Sequence, residues 1–359
     1  MTSRSRHTAA ALALLTLAVA CSTGDGAPAA APSGPPASGR AAKDVHVAFV
    51  GAAANLNFSQ EMMEGAKYAG QELGADVQVV APPGPDGQAE VGLFQQVVAT
   101  AKDGVSVMTL NPELFTRPAA DAIAKGVPVV AADVPLAKDS GVTTLVSNDN
   151  PAAGAMLADA VLTRLPAGKK GTIVLGVPTP GLPVLEARLK GMKERLLAKN
   201  PGLEVLGPFD SKQAPDDNYK AWSGLVRAHS GALAFLDAGD PAAFNLPKIK
   251  QETSASWLCA AFDLNDAGLA AIKSGQSVGV ADPQHWLKGY VATRLLIERA
   301  LGKREIPKGF WDSGAAMVTE DNVDEVIARQ KGPEARAAWY KKLIDEQFAD
   351  VQGRMKPLS

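Results

Sequence analysis

The chain has 359 residues, with 36 Lys and Arg against 38 Asp and Glu, a formal net charge of −2, and 46% hydrophobic and 21% charged residues. This is the composition of a large globular protein, and the absence of a basic patch or a Lys/Arg-rich arm argues against a nucleic-acid partner. The roughly 315 residues beyond about residue 44 are too many for one compact core, so two lobes are expected.

The chain opens with Arg4 and Arg6, followed by Ala9 to Ala20 almost without a polar atom. At about a dozen apolar residues the segment is too short for a permanent transmembrane helix and fits the core of a secretory signal. Leu17-Ala18-Val19-Ala20-Cys21 resembles the bacterial lipobox, with Ala18 where Leu is commoner. The resemblance implies cleavage before Cys21 and a new terminus that carries lipid, and each buried methylene would add roughly 0.8 kcal/mol of membrane affinity. Gly24 to Ala42 is dense in Pro and Ala and has no aromatic or β-branched residue, so it reads as a flexible tether. With Cys21 acylated, Cys259 has no disulfide partner. It lies in the apolar run Trp257 to Phe262, where a thiol behaves as a small hydrophobe.

The globular part starts with a strand at Val45–Val50 and a helix at Asn57–Leu73. Asn57 and Gln60 suggest a capping box there, and Met62, Ala66, Ala69 and Leu73 share a face. Next come strand 77–81, helix 89–102, strand 105–110, helix 119–125 and strand 127–132, which ends at Asp133. The alternation then resumes with strand 142–146, helix 152–165, strand 171–176, helix 185–199, strand 203–206, helix 217–229 and strand 232–236, ending at Asp237. Strand 257–262 ends at Asp263, helix 267–273 follows, and strand 277–281 ends at Asp282. Such alternation requires parallel strands joined by right-handed crossovers. The fold class is therefore α/β, with two similar doubly wound parallel-sheet lobes. Ligands in such sheets sit beyond the carboxyl ends of the strands, where all four aspartates stand.

Several collinear segments resemble the sugar-binding branch of the type I periplasmic binding proteins, the branch of the ribose- and galactose-binding proteins. Ala122-Ile123-Ala124-Lys125-Gly126-Val127-Pro128-Val129-Val130 followed by Asp133 is similar to that family's strand bearing a ligand aspartate. Ser147-Asn148-Asp149-Asn150 with Gly154 resembles its first hinge crossing, and Arg188-Leu189-Lys190-Gly191 its Arg-x-x-Gly helix. Phe262-Asp263-Leu264, Asp282 to Tyr290 and Val318 to Asp324 resemble its second ligand-aspartate strand, return crossing and closing segment. The resemblance implies lobes joined by a three-crossing hinge that close on a sugar held between aromatic faces and a rim of carboxylates, amides and an Arg.

Carried over by position, Asn57, Phe58 and Asp133 would meet the ligand from the first lobe, and Arg188, Asp237 and Asp263 from the second. Asp282 and Gln284 would stand at the last crossing, with Trp286 as second stacking face. Val134 after the first aspartate, and Ser59 after Phe58, depart from the ribose binders and argue against ribose. The expected division is a signal peptide over 1–20, a lipid-anchored linker over 21–43, an N-terminal lobe of 44–147 plus 283–311, a C-terminal lobe of 148–282 plus 312–325, and an extension, 326–359, without an assigned role.

The implied function is capture of a sugar or sugar-like polyol outside the cytoplasm, by a monomer anchored through lipid to a bacterial membrane, for delivery to the permease of an ABC-type importer. A receptor signalling to a membrane kinase remains an alternative, and an exported glycoside hydrolase a more distant one. A hydrolase would need two carboxyl groups about 5 to 10 Å apart across the bond. No His-x-x-x-His, Cys-x-x-Cys or Walker loop is present, so no catalytic residue, metal or cofactor is expected. Repressors sharing the two-lobe fold need an N-terminal DNA-reading domain, whose place the signal and tether occupy.

Overall fold

A computed structural model describes residues 39–358, so the signal segment and Cys21 lie outside the described residues. In chain order the first lobe is built from β1 (His46–Val50), α1 (Asn57–Leu73), β2 (Asp76–Val80), α2 (Gly87–Thr100), β3 (Gly104–Val107), α3 (Thr116–Ala124), β4 (Val129–Ala132) and β5 (Thr144–Ser147). The chain then enters the second lobe through α4 (Asn150–Thr163), β6 (Gly171–Val177), α5 (Pro183–Lys199), β7 (Leu203–Asp210), α6 (Pro215–Ala228), β8 (Ala234–Asp237), α7 (Pro241–Glu252), β9 (Leu258–Phe262), α8 (Asp266–Lys273) and β10 (Gly279–Asp282). It returns through α9 (His285–Ala300) and β11 (Gly309–Asp312), and crosses again to β12 (Ala316–Val318) and α10 (Val323–Arg329). It ends with α11 (Pro333–Ala349), α12 (Val351–Arg354) and β13 (Met355–Lys356).

Each lobe has one sheet, ordered β2-β1-β3-β4-β5-β11-β13 in the first and β7-β6-β8-β9-β10-β12 in the second. The strands are parallel except for β12 and β13 at the edges. In β1, Val47 and Phe49 face one apolar layer while Ala48 and Val50 face another, the two-residue alternation of a strand covered on both sides. Helices α2 and α3 cover the outer face of the first sheet, and α6, α7, α8 and α10 that of the second. The apolar layer containing α1, α9, α4 and α5 is continuous between the lobes.

Two helix pairs repeat one packing device. Helices α1 and α9 cross so closely that a Cβ on Gly65 would lie 1.9 Å from the Trp286 carbonyl oxygen, and one on Gly289 would lie 1.9 Å from that of Met62. In the other lobe, Gly154 of α4 and Gly191 of α5 do the same against the carbonyls of Arg188 and Pro151, each at 2.0 Å. Any side chain at these positions would force the backbones apart.

The lobes are joined at Asn148-Asp149, at Pro283-Gln284 and at Ser313 to Ala315. Asn148 ties the three together, its Nδ2 donating to the Pro283 carbonyl at 3.0 Å, to Ser313 Oγ at 3.2 Å and to the Gly314 carbonyl. A fourth passage follows: beyond α10 the chain recrosses to the first lobe, where β13 pairs with β11 and α11 lies over α9. Tyr340 of α11 stacks on Trp286 at 5.1 Å, with 3° between the rings. Gln347 accepts from Trp311 Nε1 at 2.9 Å and donates to the Ser313 carbonyl at 3.0 Å. Residues 326–358 are thus part of the packed body.

Candidate functional site

β4 and β9 occupy equivalent places in the two sheets, and the residue after each is an aspartate in left-handed backbone, Asp133 at φ 64° and Asp263 at φ 70°. Each amide remains in its sheet, Asp133 N–H donating to the Val146 carbonyl at 2.7 Å and Asp263 N–H to that of Ala281 at 3.0 Å. Positive φ in a residue bearing a side chain costs of order 1 kcal/mol and concentrates at functional sites. Here it turns both carboxylates toward the space between the lobes.

The walls of that cleft are chemically divided. Phe58, Met108 and Leu110 from the first lobe and Leu182, Val184 and Leu185 from the second form the apolar part. Asp133, Arg188, Gln213, Asp240, Asp263 and His285 form the polar part. Past Asp133 and Val184 the space opens into a wider groove beside the first hinge crossing, lined also by Pro357 and Leu358.

The charged groups are linked. Lys288, fully buried on the first turn of α9, donates to Asp133 and lies 3.4 Å from His285 Nδ1. An ammonium can only donate, so His285 Nδ1 accepts and Nε2 carries the proton it gives to Asp263, 2.8 Å away in the other lobe. Arg188 Nη1 stands 3.6 Å from Asp263 and donates to the Ala238 carbonyl at 2.9 Å, while Nε donates to Asn150 at 3.2 Å. The guanidinium lies over the Phe262 ring at 4.3 Å. Burial alone would raise both aspartates. The charges of Lys288 and Arg188 outweigh it and hold Asp133 below the usual carboxylate range, and Arg188 with the His285 N–H does the same for Asp263.

Of the residues expected at the ligand, Phe58, Asp133, Arg188 and Asp263 meet in this cleft. The others stand elsewhere. Asn57 is the first residue of α1 and no cap; it lines an outer groove with Glu64 and Asp266, and Gln60 instead donates to the Ala54 carbonyl at 2.6 Å. Asp237 is turned inward, accepting from Trp222 Nε1 at 2.9 Å and from the Gly239 amide at 2.9 Å, and burial pushes its carboxyl up to about 6. It shapes the Gly239 turn from behind. Asp282 is buried in the hinge, paired with Arg329 at 2.8 Å and accepting from the Gln284 amide at 2.7 Å. Gln284 sits at that crossing with φ 56°, its Oε1 buried without a hydrogen-bond partner among the described residues. Trp286 is sandwiched in the seam beneath α11, between Tyr290 at 5.6 Å and Tyr340, and presents no face to the cleft.

Missed by the sequence reading were His285, Lys288 and Asp240. The first two carry a signal, since residues three apart on a first helical turn share a face. Asp240 precedes α7, a helix the apolar pattern hides because Pro247 stands inside it. Cys259 is buried, its thiol pushed up to about 12 by burial, as suits a small apolar filler. Among the described residues no group of three or more His, Cys, Asp and Glu is placed to hold a metal ion, and no helix is long and apolar enough to cross a membrane.

No curated protein sequence matches the chain. Solved structures do. A Burkholderia graminis ABC transporter solute-binding protein in complex with D-arabinose superposes with a TM-score of 0.71 at 23% identity, over 79% of this chain and 98% of its own. The glucose-galactose binding protein GanP of Geobacillus stearothermophilus gives 0.69 at 18% identity, over 77% and 98%. A solute-binding protein of Agrobacterium vitis with bound D-fucose gives 0.70 at 21%, over 81% and 98%. At such identities the likeness is one of fold. The periplasmic binding protein domain matches in sequence over residues 47–304, which take in both lobes, the crossings at Asn148 and Pro283 and every group that faces the cleft. With the paired sheets and the cleft between them, that match makes the chain a member of the periplasmic binding protein family.

Proposed function

We propose that the protein is an extracytoplasmic solute-binding lipoprotein that captures a sugar or sugar-like polyol between its lobes and hands it to an ABC-type importer, acting as a binder without chemistry. The observation that carries this reading is the pair of equivalent strand-end carboxylates, Asp133 and Asp263, which approach one space from opposite lobes beside the Phe58 ring. A sugar offers hydroxyls that donate to carboxylates and C–H faces that rest on an aromatic or aliphatic wall. Both carboxylates are held ionised by built-in cations, so they accept hydroxyl protons without first losing their own. The arabinose and fucose complexes of structurally similar proteins support the same class of ligand. Attachment through Cys21 rests on the sequence pattern alone.

The test is a thermal-shift panel of D-arabinose, D-galactose, D-glucose and D-fucose on the purified protein. A ligand that binds only the native state adds about 2.7 kcal/mol at a hundredfold excess over its Kd. At least one sugar should raise the midpoint in a concentration-dependent way. No shift from any of these sugars or from their amino derivatives would defeat the reading.

A further inference from the structure

Asp240 is the one carboxylate of the cleft that has no cation. Asp133 is matched by Lys288, and Asp263 by Arg188 and the His285 N–H. Lys288 is committed to Asp133 and His285, while Arg188 is held by Asn150 and the Ala238 carbonyl beside Asp263, with no hydrogen bond from Nη2 among the described residues. Asp240 is only 6% exposed, and among the described residues it forms no ion pair. It stands at the start of α7, yet its carboxylate bonds none of that helix's amides. Its one side-chain hydrogen bond among the described residues is from Asn265 Nδ2, which donates to Oδ1 at 3.0 Å. The charges bearing on it are those of Asp263 and Glu61, both acidic, and burial followed by Asp263 pushes its carboxyl up to about 7.

Three classes of ligand meet this arrangement differently. An anionic ligand finds only the spare Nη2 donors of Arg188 among three carboxylates, and adds repulsion from Asp240. A neutral sugar leaves Asp240 buried either with an uncompensated charge or with a proton taken up from solvent, each of which opposes closure. A ligand carrying an ammonium supplies the missing partner through a charge-assisted hydrogen bond in a desolvated site. We infer that the cleft takes an amine-bearing sugar or polyol, its ammonium held by Asp240 and its hydroxyls by Asp133 and Asp263. The inference rests on the sugar-binding reading above and narrows it.

The test is calorimetry at neutral pH with D-glucosamine, D-galactosamine and D-mannosamine, each beside its parent hexose and its N-acetyl derivative. At least one amine should bind about tenfold or more tightly than both of its neutral counterparts, the size of one charge-assisted hydrogen bond. In the isosteric Asp240→Asn variant the ratio of amine to parent affinity should fall to near one. Neutral hexoses binding as tightly as the amines, or a ratio unchanged in Asp240→Asn, overturns the inference and leaves the sugar reading standing. If no hexose, amine or N-acetyl sugar binds, and the neutral panel above is also silent, both fall.

Discussion

Replacing Lys288 by Met tests whether the cleft carboxylates are held charged from within. Lys288 is fully buried and is the cation that contacts Asp133, itself 3% exposed. Met fills similar space and removes the charge. Asp133 must then either stay ionised in an apolar setting, for which loss of one partner of a buried pair costs about 3–5 kcal/mol, or take up a proton. Protonation caps the cost: against an unfolded carboxyl near pKa 3.9, holding the proton at pH 7 costs about 4 kcal/mol, or ~1.4 per pH unit above ~4. The sign follows from proton counts. In the variant the folded state binds the extra proton, so stability falls as pH rises. In the parent protein Asp133 is depressed in the folded state, so its contribution is present above the unfolded pKa and is lost only as pH falls through the folded one. Urea unfolding between pH 4.5 and 7.5 should therefore show a deficit in Lys288→Met that widens with pH. The double variant Asp133→Asn/Lys288→Met should recover much of the loss and flatten the profile. A deficit under about 1 kcal/mol, or one independent of pH in this range, would refute the reasoning.

Tyr340→Ala should lower the unfolding free energy by about 3 kcal/mol, from lost burial and the stack on Trp286, measured by urea titration; a loss below about 1 kcal/mol would detach the C-terminal helix from the folding unit. Gly289→Ala must push against the Met62 carbonyl, and a cost of about 1–3 kcal/mol in thermal unfolding is expected, with a comparable cost for Gly154→Ala in the other lobe; a neutral change at both would remove the close helix crossings as a constraint. Cys21→Ser should move the protein from the membrane to the soluble fraction with its thermal midpoint unchanged, and intact-mass analysis of the parent that finds no lipid would contradict the anchor.

Much of the fold was legible because its signals are local. Helix α1 has the bounds its apolar face predicts, and the strands that end in aspartate are short apolar runs. The site was legible only in part, because sequence shows that an acid ends a strand but not what approaches it. Asp133 and Asp263 turn into the cleft on left-handed backbone, whereas Asp237 and Asp282 are taken up by Trp222 and Arg329. The partner of Asp282 comes from α10, 47 residues away, which no local pattern reveals. Trp286 follows His285 by one residue and so projects from another side of α9, toward Tyr340 in a segment that the family resemblance does not reach. Asp240 was hidden by the helix behind it. With Pro247 masking α7, no element legible in the sequence points to Asp240.

The account stands most directly on Asp133 and Asp263 gripping one ligand from opposite lobes. Calorimetry with the sugar or amino sugar that stabilises the protein most, on Asp133→Asn and Asp263→Asn beside the parent, measures that. Each change replaces a charge-assisted acceptor by an amide that offers a donor to a hydroxyl, so each variant should bind about 10- to 150-fold more weakly, or roughly 1.5–3 kcal/mol. Parent-like affinity in both variants would mean that the ligand is held elsewhere.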